Sequence, residues 1–425
     1  MHVRSQLQRM VGRDPSEEGR AGSSLEIFYD LVFVVAFSVA STQLAHYLVD
    51  GHYRTAIIGY VFMTFAAIWA WLGFAWFASA FDTDDWLFRL LVLIQMIGVA
   101  IIAIGIPELF ASIDAGHHPA MTVPVIGYIV MRVGMVAQWL RAAAGSAEHR
   151  RTCLTYAGAT LIAQVGWVIV AVSPLNLRDT LLAAGVLVGI EFFAPWYAES
   201  RVAATPWNPS HIAERYATLT VVTLGEGVVG TVALLQALIE RTGWGAQTAV
   251  LGLAAMGVTF AMWWLYFAMP GGETLRERPE RAFAFGYGSI PLLMACAAVG
   301  AGLHVVALWT EHEAHISDFA VVACLAVPVA VFSLGVILMN GYLTRGGTEE
   351  GAETEPIAVT AALAAGVLPL VAALVLAAFG APPDGVRRHR LPDPGAAGGR
   401  GGDGRRLGLP RARTRHRLGR FAHHA

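Results

Sequence analysis

Long apolar runs, separated by short polar breaks, dominate the chain from about residue 27 to about residue 380. Because a helix needs about 20 apolar residues to cross the hydrocarbon core of a bilayer, each run is long enough for one transmembrane span. A transmembrane β-barrel would instead show segments of about ten residues with alternating polarity. The pattern therefore predicts an all-α, polytopic transmembrane helix bundle of about 11 helices. The expected spans are 27–49, 55–80, 88–110, 120–142, 152–173, 180–198, 212–239, 246–269, 282–308, 317–340 and 357–380.

Composition supports a membrane protein and divides the chain into two unlike regions. Hydrophobic residues make up 56% of the sequence and charged residues only 14%, whereas soluble domains carry about 25% charged residues. An ordinary soluble protein is therefore excluded. The net charge of −2 conceals an asymmetry, because residues 1–380 hold 18 of the 29 basic residues and 28 of the 31 acidic ones.

The arginines predict the orientation, since the cytoplasmic loops of membrane proteins carry an excess of basic residues. With a cytoplasmic N-terminus, fourteen arginines fall in cytoplasmic segments, and only Arg54, Arg178 and Arg241 fall in outside loops. We therefore expect a multi-pass protein of the inner (cytoplasmic) membrane with its N-terminus in the cytoplasm. Arg132 lies within the fourth expected span, where a charge is costly.

The two halves of the chain resemble each other weakly. Glu26 opens the first span and Glu214 opens the seventh, and the aromatic stretch 69–74 corresponds to 263–267. Because six is an even number, a duplicated six-helix unit gives a parallel repeat. We expect a 6+6 parallel repeat from which the last helix is missing. The expected segments are a cytoplasmic N-terminal segment at 1–24, a first six-helix repeat at 25–198, a five-helix second repeat at 199–380 and a disordered Arg/Gly/Pro-rich tail at 381–425.

The tail conflicts with this topology. After eleven helices, residues 381–425 would lie outside, yet they carry 11 arginines. The outside placement argues against nucleic acid as a partner and leaves membrane lipids and an unknown small solute or ion as the expected ones. Our hypothesis is that the tail is an out-of-frame or truncated ending of the ancestral gene.

Six short stretches carry a resemblance to a known family. Together they resemble the low-temperature-requirement A (LtrA) family of bacterial membrane proteins, from about residue 24 to 305 and more loosely to 380. The resemblance implies a membrane-embedded fold and a membrane location. The family's name records a cold-growth phenotype, so the resemblance implies no reaction or substrate. The stretches are 25–33, 69–85, 205–207, 211–216, 224–226 and 263–267.

Ionisable side chains within the spans are the best candidates for a functional site, because each is costly inside a bilayer. Glu26 and Asp30 lie one helical turn apart on the same side of the first span. They are candidates for a proton or cation site at the mouth of a pathway. The alternative is an interfacial acidic pair at the level of the lipid headgroups.

Glu226 is the strongest candidate for an intramembrane ion or substrate site. It lies midway along the seventh span between Gly225 and Gly227, and small neighbours of this kind mark interruptions at transport sites. The alternative is a structural carboxylate paired with Arg132, the only basic residue in the middle of a span. In the functional interpretation Arg132 belongs to the site as its counter-charge.

His211 and Glu214 are secondary candidates, because two residues three positions apart share one face of a helix, as metal ligands sometimes do. No third or fourth ligand is near in the sequence, however, and a metal site needs one. We therefore favour a charged collar at the membrane surface, formed by His211, Glu214 and Arg215.

Asp84 and Glu191 complete the secondary candidates. Asp84 belongs to an acidic run that could hold a divalent cation, but we favour pairing of this run with Arg89 or Arg281. Glu191 lies near the cytoplasmic end of the sixth span, where a structural role is favoured. The sequence predicts no cofactor, no metal centre and no catalytic residue.

A proton- or cation-coupled transporter or channel-like protein of unknown substrate is the function that these features favour. One alternative is a membrane-embedded enzyme that acts on a lipid-like substrate. Another is a non-catalytic stress-adaptation membrane protein.

Overall fold

The structure is a computed structural model of the 425-residue chain, and it describes residues 7–345. That part of the chain is helical, with short loops between consecutive helices. A π-helical turn, Ala198–Val202, extends α6, and a 3-10 turn, Pro279–Arg281, precedes α10. The helices are α1 (Ser24–Val49), α2 (Tyr53–Phe81), α3 (Trp86–Asp114), α4 (Thr122–Gly145), α5 (Arg150–Val172), α6 (Leu177–Tyr197), α7 (Pro209–Thr242), α8 (Ala246–Phe267), α9 (Gly271–Glu277), α10 (Ala282–Thr310) and α11 (Asp318–Thr344).

Within the described residues, ten helical segments are long and apolar enough to cross a membrane. They coincide with the first ten expected spans, so the prediction of an all-α multi-span bundle is confirmed. The short helix α9 lies between two of these spans and crosses nothing. The eleventh expected span, 357–380, and the hypothesis about the tail at 381–425 lie outside the described residues.

Successive crossings sort the loops onto two faces of the bundle. Residues 7–23 pack onto one of them, because the Gln8 amide donates to Asp85 and the Arg9 guanidinium donates to the Gly145 carbonyl. We name this side the N-terminal face and the other the opposite face. The N-terminal face carries residues 7–23 and the loops 82–85, 146–149, 203–208 and 268–281, and the opposite face carries the loops 50–52, 115–121, 173–176, 243–245 and 311–317.

Side-chain caps begin three helices at the N-terminal face. Ser23 and Glu26 form a capping box at the start of α1, in which each side chain bonds the other residue's backbone. Asp85 caps α3, and Asn208 caps α7 with Pro209 at the first helical position. These caps satisfy amide groups that would otherwise lack acceptors, and they set where α1 and α7 enter the bundle.

The same pairs of helices pack in the two halves. In the first half, α1 packs on α2 and α3, and α3 packs on α4. In the second half, α7 packs on α8 and α10, and α10 packs on α11. The halves meet where α1 packs on α7 and α10. This order is what a six-helix repeat predicts, and the repeat itself stays a prediction.

Glycines allow the closest of these helix contacts. A Cβ atom at Gly300 of α10 would lie 2.6 Å from the Glu226 carbonyl oxygen of α7. A Cβ atom at Gly230 of α7 would lie 2.7 Å from the Gly300 carbonyl oxygen. Small residues let helix backbones approach closely within a membrane, where apolar lipid removes most of the hydrophobic drive for association.

We expect Gly300→Ala to lower the free energy of unfolding by about 1–3 kcal/mol, because the added methyl group must push α7 and α10 apart. Gly257→Ala in α8 is the matched control, since a Cβ atom there meets nothing within 4 Å. The measurement is thermal unfolding of the purified protein in detergent. Equal unfolding temperatures for the two variants would contradict the proposed close contact.

Candidate functional site

Four ionisable side chains are buried together where α1 packs on α7. Glu26 and Asp30 lie one turn apart on α1, and His211 and Arg215 lie one turn apart on α7. Each of the four is at most 1% exposed. The equal spacing on the two helices places each carboxylate opposite one basic side chain. We name these four residues the α1–α7 charge cluster.

Short polar contacts join the members of the α1–α7 charge cluster. His211 Nε2 lies 3.1 Å from Glu26 Oε1, and Arg215 Nη2 lies 2.6 Å from Asp30 Oδ1. Arg215 Nε lies 3.8 Å from Glu26 Oε1, so the guanidinium faces both carboxylates. The indole N–H of Trp71 also donates to Asp30 Oδ1, at 2.6 Å. The cluster therefore ties α1 and α2 to α7.

The carboxylates of Glu26 and Asp30 are both buried against basic partners, and Glu26 also caps the start of α1. One expectation about the cluster was wrong. His211 and Arg215 do not form a surface collar with Glu214. Their side chains face α1, and Glu214, on another side of α7, is exposed. The cause is the helical register of α7, which turns positions 211 and 215 inwards and position 214 outwards.

We expect Asp30→Asn to lower the free energy of unfolding by about 3–5 kcal/mol, because it leaves the Arg215 guanidinium buried without a full counter-charge. Asp84→Asn is the control, since it breaks a more exposed ion pair worth about 0–1 kcal/mol. Denaturation in detergent measures both.

A double-mutant cycle tests whether the two charges act on each other. The account predicts that Asp30→Asn combined with Arg215→Gln costs less than the sum of the single variants. Strict additivity would contradict a direct interaction between Asp30 and Arg215.

Glu226 lies elsewhere, in the interior between α7, α1 and α10. Its side chain is 7% exposed and lies within hydrogen-bonding reach of Ser38 on α1. Among residues 7–345, no salt bridge reaches it. Arg132, the expected counter-charge, has other neighbours. The structure therefore does not bring together Glu226, Arg132 and the Glu26–Asp30 pair, which the sequence analysis grouped into one site.

Arg132 belongs to a second polar group, formed by α4 and α6. Its Nη2 donates to the Tyr128 hydroxyl at 2.5 Å, and the Tyr128 hydroxyl donates to Glu191 Oε1 at 3.0 Å. The guanidinium also stands over the Tyr128 ring, 4.6 Å from its centre. Glu191 is therefore linked to Arg132 through a phenol rather than by a direct ion pair. We name these three residues the Arg132 triad.

Two cavities flank the Arg132 triad. Cavity 1, of about 420 Å³, reaches the N-terminal face at Thr205 and Glu280 and extends inwards to Arg132. Cavity 2, of about 390 Å³, is lined mostly by apolar side chains. Its lining extends towards the opposite face as far as Met121 and includes Ile57 and Val61, which are exposed on the outer surface. Trp69 and Glu191 line both cavities. The two cavities thus approach each other from opposite faces and meet at one aromatic side chain and one carboxylate.

Aromatic contacts close the side of cavity 1 between α6, α2 and α10. The Phe192 ring lies 4.6 Å from Trp69 and 4.8 Å from Tyr287, measured between ring centres. Only four residues of α6 are buried, namely Thr180, Ala184, Leu187 and Glu191. Helix α6 therefore buries few of its side chains, and the Phe192 ring joins it to α2 and α10.

The acidic loop at the N-terminal face is held by arginines. Asp84 forms two hydrogen bonds of 2.8 Å with the Arg89 guanidinium, as the favoured interpretation of the acidic run predicted. The Asp85 carboxylate accepts from Arg141 and from the amide of Gln8. Among residues 7–345, no group of three His, Cys, Asp or Glu side chains is placed to hold a metal ion.

Asp82, in the same loop, is a buried acid with an incomplete partner. Arg13 approaches it only to 3.6 Å. Burial raises the pKa of Asp82 to about 6, and the nearby negative charge of Glu26 raises it further in the same direction. The folded state therefore favours the protonated form of this carboxyl group.

This shift predicts how stability depends on pH. Because the folded pKa of Asp82 lies above its ordinary value of 3.8, the stability that Asp82 contributes is present at low pH and is lost as the pH rises towards about 6. We expect Asp82→Asn to gain stability relative to the wild type between about pH 4 and pH 6, by unfolding in detergent. Glu18→Gln, at an exposed position, is the control. A difference that does not change with pH would contradict the assignment.

Comparison with known families now identifies the chain. A family model described as bacterial low temperature requirement A protein (LtrA) matches residues 21–382. The chain belongs to the LtrA family. It is therefore a bacterial multi-pass membrane protein, and the resemblance inferred from the six stretches is confirmed. A comparison with curated proteins gives no match.

The stretches that carry the LtrA resemblance supply the whole α1–α7 charge cluster. Stretch 25–33 contributes the two acids, stretch 211–216 contributes the two basic residues, and stretch 69–85 contributes Trp71. Three of the six stretches therefore meet in one buried ionic contact between α1, α2 and α7.

The sequence analysis missed Tyr128 and underrated Glu191. The available signal for Tyr128 was its position one turn before Arg132, because side chains four residues apart meet on a helix. For Glu191 no sequence signal shows that it borders two cavities, since the lining residues come from α2, α3, α4, α5, α6 and α10 and from the loops and turns between helices.

Proposed function

We propose that this LtrA-family protein is a transporter whose substrate passes between α2, α4 and α6, through cavity 1 and cavity 2. The observation that carries the proposal is that the linings of two cavities extend towards opposite faces and share Trp69 and Glu191. Binding sites of transporters commonly lie near the middle of the bilayer, with access from one side at a time. The Arg132 triad and Trp69 then form the barrier between the two cavities.

Helix α6 is the element that we expect to move. It buries few side chains, contains Pro195, and continues into the π-helical turn Ala198–Val202. Prolines and π-turns interrupt the regular hydrogen bonding of a helix and often mark functional sites. Movement of α6 would separate Phe192 from Trp69 and Tyr287, and would widen the passage between the two cavities.

Glu226 is the proposed site of proton or cation coupling. A buried carboxylate without an ion pair is costly inside a membrane, so it either carries a proton or binds a cation. Proton or cation binding at Glu226 would affect the position of α10, because Gly300 of α10 packs against the Glu226 backbone. Coupling is thereby proposed at the contact between the two halves, and passage of the substrate through cavities that are lined mainly by the first half.

The arginine distribution supports a location of the N-terminal face in the cytoplasm, with the bundle in the inner membrane. Membrane lipids are then the proposed partners of the apolar outer surface. That surface includes Leu253, which is 73% exposed, and Val172, which is 77% exposed.

The pathway can be tested by cysteine accessibility without knowing the substrate. Ala159→Cys lies in cavity 1 and Ala66→Cys lies in cavity 2, in a background with the three native cysteines replaced by alanine. We expect a membrane-impermeant maleimide to label each cysteine from its own face only. Leu253→Cys on the lipid-facing surface is the control and should stay unlabelled. If neither cavity position is labelled, the proposed pathway is wrong.

The coupling site can be tested in proteoliposomes. We expect the protein to admit radioactive sodium or to dissipate an imposed pH gradient faster than protein-free vesicles, and we expect Glu226→Gln to abolish this flux. Glu240→Gln, at an exposed position on the same helix, is the matched control and should keep the wild-type rate. Equal fluxes for the wild type and Glu226→Gln would remove Glu226 from the mechanism.

A further inference from the structure

Cavity 1 combines an aromatic wall with one incompletely bonded cation. Its lining includes five tryptophans as well as Tyr156, Phe283 and Tyr287. Its volume of about 420 Å³ lies in the range of pockets that take drug-sized ligands. The tryptophans are Trp69, Trp76, Trp139, Trp196 and Trp207.

Arg132 supplies hydrogen-bond donors that nothing in the described chain accepts. The residue is 6% exposed, and its one hydrogen bond goes to the Tyr128 hydroxyl. Its Nε has no acceptor within residues 7–345. Its Nη1 lies beside Gly73, where a Cβ atom would come within 3.3 Å. Buried donors without acceptors are costly, so the guanidinium is poised to bind an oxyanion.

Three carboxylates line cavity 1, and the two inner ones are already occupied. Glu199 accepts from the Tyr156 hydroxyl and from both the amide and the hydroxyl of Thr205. Glu191 accepts from Tyr128 instead of binding Arg132 directly. The third, Glu280, is exposed at the mouth of the cavity. In the interior of the cavity, the polar group with unused bonding capacity is therefore a donor, and a ligand that supplies acceptors fits it better than a ligand that supplies a positive charge.

We propose that cavity 1 binds an apolar or aromatic molecule that carries one carboxylate, with the carboxylate on Arg132 and the apolar body against the tryptophans. A planar guanidinium can give a carboxylate two parallel hydrogen bonds, which a lysine cannot do. The proposal deepens the proposed function by naming the substrate class, and it rests on that function only in treating the ligand as cargo.

Gly73 is the residue that leaves room for this contact. An added methyl group at Gly73 would press on Arg132 Nη1 without removing any charge. Gly73→Ala therefore provides a second variant that tests the geometry of the guanidinium separately from its charge. Arg132→Lys provides a third variant, because lysine keeps the positive charge but cannot donate two parallel hydrogen bonds to one carboxylate.

Binding of a matched probe series to the full-length protein in detergent tests the proposal. The probes are 1-naphthoate, 1-naphthylmethylammonium and 1-naphthalenemethanol, which share one ring system and differ in charge. Equilibrium dialysis should show naphthoate binding at least about tenfold more tightly than the other two, a difference of about 1.4 kcal/mol. Arg132→Gln should bind naphthoate at least about tenfold more weakly than the wild type. Gly73→Ala and Arg132→Lys should bind naphthoate with an affinity between those of the wild type and Arg132→Gln. Arg89→Gln, in the first turn of α3 and away from the lining of cavity 1, is the control and should bind naphthoate like the wild type.

Three results would overturn the proposal: tighter binding of the ammonium probe, equal binding of all three probes, or unchanged naphthoate affinity in Arg132→Gln. If Arg132→Gln does not fold, an unchanged affinity in both Gly73→Ala and Arg132→Lys overturns it instead. The outcome is separable from that of the proposed pathway. Naphthoate binding without two-sided cysteine labelling would support the ligand class and refute the pathway. Two-sided labelling without naphthoate binding would support the pathway and refute the ligand class.

Discussion

The cost of a charge inside an apolar bundle is the constraint on which this structure depends. A carboxylate or guanidinium removed from water must form an ion pair, lose its charge, or be retained because it serves a function. The α1–α7 charge cluster meets that requirement by pairing, because Glu26 and Asp30 face His211 and Arg215 at matching one-turn spacings. This contact joins the first span of the chain to the seventh, and it lies in the stretches that identify the LtrA family.

Other buried charges meet the same constraint differently. Glu226 has no ion pair among the described residues, and Arg132 reaches Glu191 only through the Tyr128 hydroxyl. Neither charged group has a direct ion pair among residues 7–345, so each is an inefficient way to hold a fold together. We therefore assign the paired charges to structure and the incompletely paired ones to function. The location of Arg132 in the lining of cavity 1, and of Glu226 at the contact between the halves, agrees with that division.

The length of the apolar runs was sufficient to predict the membrane spans, because bilayer thickness alone sets how many residues cross it. Which side chains meet was harder to predict. The sequence places Glu226 and Arg132 near the middle of their spans, but it does not show that α4 turns Arg132 towards α6 and away from α7. His211 and Arg215 were assigned to the surface because they lie at the start of the seventh apolar run, whereas the packing of α7 on α1 buries both. The cavities could not be predicted at all, since they arise from gaps between several helices.

The division between paired and incompletely paired charges is tested most directly by comparing two arginine variants in one thermal unfolding experiment. Arg215→Gln removes a paired charge and Arg132→Gln removes an incompletely paired one. The account predicts that Arg215→Gln unfolds at a much lower temperature than the wild type, with a loss of about 3–5 kcal/mol. It predicts that the free energy of unfolding of Arg132→Gln stays within about 1 kcal/mol of that of the wild type, because buried hydrogen-bond donors without acceptors contribute little stability. An equal loss of stability in the two variants would contradict the account.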